Sequence, residues 1–551
     1  MQPRSPVLNV RNLSVVAEDS TEVLHKVHFD LFRGEMLGLV GQTGAGKTTA
    51  GLACLAYFRR GVDYVSGSLM LNPVDGTEPF ELLDLDAETI RSLRGRRIAY
   101  VPPNPATALT PAMRVGEHLL DALAMHNYGT TDADRRARVA QVLANVGLPQ
   151  DDEFQQRWPH ELAGDQPQRL TLAMAFVLTP DVVIFDEPTL GLDVVARHRI
   201  VETIRHLSLT HNIAGLYLTR DPGIAASISH RIAVMHNGEI VETTTPEQAL
   251  TEPQHPITRS LFAALPQSAA ATELSATPGP TPGRSAQHGR RAWDGEHLLA
   301  VEDLSVSYRK HQALRRISLG IAPGECTFVF GQTGAGKTTL AQAIAGLLPR
   351  YQGAVKLRSR TLSRRVRRRS PADRLDVQYL IGSPTASFNP HRIIGESLSV
   401  PLETSGSTPA DQRRKTVAAA LKAVGLDAAF YDRYPAELSA EQLQRTAIAR
   451  ALVAAPSVLV CDDVTAALDA TAQASIIALL KSLRHSHGLT ILFLASDIRW
   501  ARHVATRIAV LYQGHIIEHG TVNDVLTNPT NDYTKALLSH TVGLNPGVPR
   551  A

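Results

Sequence analysis

Lys47 and Lys337 each close the pattern Gly-x-x-x-x-Gly-Lys-Thr, and the nonapeptide GQTGAGKTT recurs letter for letter at Gly41–Thr49 and Gly331–Thr339. At this spacing glycines let backbone N–H groups turn inward around phosphates, and the helix that follows adds its N-terminal dipole. The candidate cradle residues are Gly41, Gly44, Gly46, Lys47, Thr48 and Thr49 in one copy, and Gly331, Gly334, Gly336, Lys337, Thr338 and Thr339 in the other. The lysines reach terminal phosphates, and Thr48 and Thr338 ligate Mg²⁺. Further along, the apolar run DVVIFDEPT ends in Asp186 and Glu187, and its counterpart VLVCDDVT ends in Asp462 and Asp463. A strand-end aspartate beside a phosphate loop holds Mg²⁺ through water, and the next carboxylate polarises the attacking water. Asp186 and Asp462 are therefore candidate metal groups, Glu187 and Asp463 candidate catalytic ones. Asp463 is one methylene shorter than glutamate, which withdraws the base by about 1 Å, and misplacement of that order costs roughly 10²-fold.

The elements that position these groups are themselves repeated. VLNVRNLSV leads into the first loop and LLAVEDLSV into the second, and RGEMLGLVG matches PGECTFVFG. Short apolar runs such as MLGLV, VVIFD and AGLYL alternate with longer helical patterns, which suits a parallel sheet buried on both faces. The expected fold is α/β, two tandem P-loop NTPase domains at 1–266 and 298–551. Between them 267–297, rich in Ala, Pro, Gly, Ser and Thr, reads as a flexible linker. A chain of 551 residues is too long for one core. Its 56 Lys plus Arg against 53 Asp plus Glu leaves too little excess for nucleic-acid binding by bulk charge. No apolar run approaches a membrane span, and the first residues lack a secretory signal's apolar stretch, so a soluble cytoplasmic chain is expected. Cys54, Cys326 and Cys461 are scattered without metal-ligand spacing and read as core residues.

The segments PHELAGDQPQR and PAELSAEQLQR, each ahead of the strand-end acids, resemble the LSGGQ-type signature of ABC ATPases. The resemblance covers both halves and is most similar to the peptide and nickel importer subfamily, with its two ATPase subunits fused. PNPATALTP and GSPTASFNP resemble the segment after that family's Q-loop, and EPQHPITRSLFAALP and NPTNDYTKALL resemble its C-terminal tails. The resemblance implies two ATP with Mg²⁺, each held between one half's phosphate loop and the other half's signature. It also implies two membrane permease subunits and an extracellular solute-binding protein as partners, no nucleic acid, and a peripheral position on the cytoplasmic face of the membrane.

The departures from the family pattern bear on chemistry. The Q-loop glutamine, which senses the membrane partner, aligns with Pro103 and Gly382, and the switch histidine aligns with Arg220 and Ser496. Ala163 replaces the signature serine that Ser439 keeps, while Asp165, Ala440 and Glu441 stand where glycines would face phosphate. The carboxylates are expected to repel phosphates unless their side chains turn outward. The adenine-stacking aromatic is kept as Tyr308, with Ala17 at the equivalent position of the first half. One composite site would join Lys47, Thr48, Asp186 and Glu187 to Ser439, and the other Tyr308, Lys337, Thr338, Asp462 and Asp463 to Ala163. Hydrolysis is expected mainly at the first.

Three functions are weighed: the energy-coupling subunit of an importer, a nucleotide-binding pseudo-ATPase, and a soluble ABC protein acting on ribosomes or DNA. The arginine-rich run RSRTLSRRVRRRS at Arg358–Ser370 is the densest local charge, readable as a solvated loop or as contact with anionic lipid headgroups.

Overall fold

The computed structural model describes residues 5–265, 297–308, 311–405 and 409–539. The chain divides into two compact units, Met1–Leu265 and Pro266–Ala551. The expected linker lies outside the described residues apart from His297.

Each unit is built on a six-stranded sheet with the same strand order. In the first the order is Glu239–Thr244, Arg231–His236, Met36–Val40, Ala214–Thr219, Val182–Asp186 and Ile98–Val101. All neighbours are parallel except the first pair. In the second unit the order, from the opposite edge, is Val377–Ile381, Val458–Asp462, Thr490–Ala495, Cys326–Phe330, Arg507–Tyr512 and His515–Thr521, with only the last pair antiparallel. Met36–Val40, Val182–Asp186 and Ala214–Thr219 are buried at every position, because both sheet faces are covered and no residue of these strands meets water.

The pleat divides each central strand between two cores. Val182 and Ile184 pack towards the helix Lys47–Ala53 and a four-stranded antiparallel sheet. Val183 and Phe185 point the other way, into a core shared with the helices Val115–Met125, Asp132–Asn145 and Gln166–Phe176. All three cysteines are buried and free, as core residues. The two C-terminal segments are hooked on by one device used twice. Glu242 accepts from the backbone N–H groups of Gln254 and His255, and Glu518 from those of Thr530 and Asn531.

This topology places the chemistry. Parallel strands end on one side of a sheet, so the turns after Met36–Val40, Val182–Asp186, Ala214–Thr219 and Ile98–Val101 all open on the same edge. Those turns carry the first phosphate loop, Glu187, Arg220 and Pro103. Among the described residues no helix is long and apolar enough to cross a membrane.

Candidate functional site

The two glycine loops have the same conformation, because the same nine residues meet the same neighbours. Gly44 and Gly46 have φ of +85° and +101°, and Gly334 and Gly336 +84° and +108°, a region that costs other residues strain. At Gly41 a Cβ would lie 2.3 Å from Met235 O, and at Gly331 2.4 Å from Leu511 O, so only glycine lets the loop lie against the neighbouring strand's end. Gly44 and Gly334 instead have open space where a Cβ would point. Each buried lysine spans its own loop: Lys47 Nζ donates to Gly41 O at 2.7 Å and Gln42 O at 2.8 Å, and Lys337 Nζ to Gly331 O at 2.7 Å and Gln332 O at 3.0 Å.

The loop threonines reach the strand-end aspartates, with Thr48 Oγ1 3.2 Å from Asp186 Oδ1 and Thr338 Oγ1 3.3 Å from Asp462 Oδ1. The other oxygen of each aspartate accepts from a tyrosine that sequence reasoning missed, Tyr100 at 2.7 Å and Tyr379 at 2.8 Å. The signal was available, since a tyrosine stands three residues before both Pro103 and Gly382. Burial raises the Asp186 carboxyl above its ordinary range, and the Tyr100 and Thr48 hydroxyls and Lys47 pull it back down. Hydroxyl and carboxylate oxygens beside a lysine suit a hard divalent cation that takes its remaining ligands from phosphate and water.

The next residue in each strand sits in a strained turn. Glu187 has φ +45° and Asp463 +50°, a conformation that costs of order 1–3 kcal/mol for a non-glycine residue. Their N–H groups donate to Leu218 O at 3.0 Å and Leu494 O at 2.9 Å, which holds both turns in place. Glu187 Oε1 lies 3.6 Å from Arg220 Nε, whereas Asp463 Oδ1 accepts from the Ser496 backbone N–H at 3.1 Å. Burial pushes the Glu187 carboxyl up to about 7 against the pull of Arg220 and Lys47. Asp463 is raised by the same cause, with Lys337 opposing. Gly382 packs on this second turn so closely that a Cβ would meet Asp463 O at 2.8 Å.

Residues 24–190 and 314–466 match the family model described as ABC transporter, together more than half of the chain. The chain belongs to the ABC transporter family. It is an ABC-type ATPase with two P-loop NTPase domains in tandem. It is 33% identical to the glutathione import ATP-binding protein GsiA of Escherichia coli (strain K12), over 97% of this chain and 89% of that protein. The GsiA of Shigella sonnei (strain Ss046) is similar to the same extent, 33% over the same shares. Among solved structures, cbiO1 from Clostridium perfringens, part of the ABC transporter complex cbiONQ, is 21% identical with a TM-score of 0.39, covering 49% of this chain and 98% of that one.

The two signature-like segments fold differently. Ser439 caps the helix Ala440–Val453, its Oγ accepting from Gln442 N at 3.2 Å while Gln442 Oε1 accepts from Ser439 N at 2.9 Å. In the first half Ala163 offers no capping oxygen, Gly164 turns to φ +59°, and the helix begins only at Gln166, with Pro167 in its first turn. The carboxylates expected to repel phosphate are held by arginines of their own helices. Arg169 reaches Asp165 at 2.6 Å, and Arg445 reaches Glu441 at 2.9 Å, with Ser475 Oγ also donating to Glu441. Their charge is neutralised locally, so the repulsion is reduced.

In the second half a cleft of about 300 Å³ brings together Tyr308, Gly334, Gly336, Lys337, Thr338, Thr339, Asp463 and Ser496. His311, paired with Tyr308 across the sheet, lines it too and was not foreseen. Tyr100 would orient Asp186 if that aspartate faces Mg²⁺, so Tyr100→Phe is expected to weaken the Mg²⁺ affinity that supports nucleotide binding roughly 10-fold, within the 10- to 100-fold range for such supporting contacts. A magnesium titration of nucleotide affinity reads this out, and an unchanged curve refutes the role.

Proposed function

We propose that this chain is the energy-coupling ATPase of an importer for a peptide or related small solute, binding two ATP with Mg²⁺. The observation that carries the reading is a pair of intact phosphate cradles in a chain similar, over nearly its whole length, to a glutathione import ATP-binding protein. The cradle glycines and lysines would hold the phosphates. Thr48 with Asp186, and Thr338 with Asp462, would hold Mg²⁺, which neutralises charge on the terminal phosphates. Tyr308 would stack on adenine. Glu187 would orient the attacking water and take its proton as the oxygen bonds to the γ-phosphorus and ADP leaves. The halves would work head to tail, with Ser439 completing the site of Glu187 and Ala163 facing the site of Asp463, so that hydrolysis occurs mainly at the former.

The partners would be two membrane permease subunits fed by an extracellular solute-binding protein, which places the chain peripherally on the cytoplasmic face. The position to which the family resemblance assigns partner sensing lies on a cleft of about 450 Å³, lined by Tyr57, Arg59, Arg94, Tyr100, Pro102 and Pro103 among others. This cleft reaches Asp186 through Tyr100, so occupation by a permease segment could be felt at the cation position. In high salt, which screens contacts between surface charge and lipid, the chain coexpressed with its permeases should sediment with membranes, and expressed alone it should stay in the supernatant. Tyr57 is an exposed residue at the cleft, and Tyr57→Glu should reduce co-sedimentation at least about 10-fold, as loss of an aromatic interface anchor does, with ATP binding intact. Recovery with ribosomes or DNA instead would overturn the importer reading.

A second reading, a slow or inactive ATPase, is favoured by the substitutions at both switch positions. Arg220 lies beside Glu187, and Ser496 reaches Asp463 through its backbone N–H.

A further inference from the structure

We propose that the turn 364–368 of the second half is a docking surface for the anionic headgroups of a lipid bilayer. The arginines of this run divide into two sets. One set builds the segment. Arg369 is buried and donates to Ile344 O at 2.7 Å and Ser363 O at 3.0 Å, Arg358 reaches Asp376 at 2.6 Å, and Arg360 pairs with Asp373. These contacts engage both nearby acids of the following helix, Pro371–Asp376. The other set is exposed: Arg364, Arg365, Arg367 and Arg368 stand on and beside a short 3-10 turn, Val366–Arg368. Arg364 lies over the Tyr351 ring at 5.0 Å and donates to Gly353 O at 3.4 Å, and among the described residues no acid pairs with Arg365, Arg367 or Arg368.

Four like charges held on a rigid base, with the local acids turned to other arginines, form a one-signed surface rather than a mixed solvated face. Its chemistry fits a surface of closely spaced phosphates. A nucleic acid is less well matched, because among the described residues of this half the exposed large aromatics are Tyr308 and Tyr434, both outside the segment, and Tyr351 is covered. The turn also precedes the edge strand Val377–Ile381, which carries Tyr379 and is followed by Gly382, so headgroup binding would act on the strand that leads into the nucleotide site. The inference rests on the peripheral-membrane reading above, but its test needs no permease.

The full chain should bind vesicles of phosphatidylcholine containing phosphatidylglycerol and not vesicles of phosphatidylcholine alone, with affinity falling as salt rises. Each basic residue near such a surface is worth roughly a fivefold change in affinity, so combining Arg365→Gln, Arg367→Gln and Arg368→Gln should weaken binding roughly 100-fold. The corresponding triple change to lysine should retain it, and nucleotide binding should be unchanged in both. Equal binding to neutral vesicles, no vesicle binding, an unaffected glutamine variant, or displacement of the vesicles by RNA at lower concentration than by inositol polyphosphate would each overturn the proposal. A wild-type chain that binds anionic vesicles through these arginines, yet never co-sediments with its permeases, would sink the importer reading and leave this one standing.

Discussion

Glu187→Gln is expected to abolish most of the ATPase activity, by roughly 10²–10⁴-fold as for loss of a general base, whereas Asp463→Asn changes it less than about twofold. The two acids occupy matching strained turns, with φ of +45° and +50°, so backbone placement does not separate them. Side-chain length does, together with the signature each would meet. In the proposed pairing Glu187 would meet Ser439, whose hydroxyl stands at the start of a full helix, and Asp463 would meet Ala163, where the helix begins late and no hydroxyl is present. The pH profile supplies an independent check. With its carboxyl near 7, Glu187 is largely protonated and unable to accept a proton below that pH, so wild-type turnover should fall as pH drops through about 7. Residual turnover in Glu187→Gln should lack this limb.

Stability should move in the opposite sense. Folding raises this pKa from 4.5 to about 7, so the native state binds the proton more tightly than the unfolded chain. The group's contribution to stability is fully present below about 4.5 and is lost as pH rises through about 7. Glu187→Gln is uncharged throughout and should therefore unfold at the same temperature as wild type or higher at about pH 8. Equal activity losses from the two substitutions would refute the asymmetry. Absence of hydrolysis by wild type, even with its permeases, would favour the inactive reading.

Lys47→Ala and Lys337→Ala should each remove one equivalent of bound Mg·ATP, and the pair of substitutions should remove both. Each ammonium is buried against its loop by two carbonyl contacts, aimed where terminal phosphates would lie. A lost charge-assisted hydrogen bond is worth about 1.5–3 kcal/mol, so the affinity of the altered site should fall roughly 10- to 100-fold. Equilibrium dialysis at a nucleotide concentration that saturates wild type counts the sites. Two equivalents bound by the double variant would overturn the assignment of these lysines. Circular dichroism distinguishes loss of a ligand contact from loss of the loop.

Local chemistry by itself determined the phosphate loops, the doubled α/β fold and the strand-end acids. Glycine spacing dictates a loop that only glycine can form, and runs such as VVIFD read as strands buried on both faces wherever they occur. Other features depended on residues distant in the chain. Tyr100 meets Asp186 because the parallel register sets Ile98–Val101 beside Val182–Asp186, which no local window reveals. The left-handed turns at Glu187 and Asp463 arise from hydrogen bonds to the ends of the neighbouring strands. The signature carboxylates look repulsive as letters, yet the helical four-residue spacing places Arg169 and Arg445 on them. The arginine run appeared uniform until packing sorted it, since burial of Arg369 and the acids of the next helix decide which guanidiniums build the fold and which face outward. Sequence specifies what each group can do, but direction and partner are set by the pleat, register and helix packing that bring remote residues together.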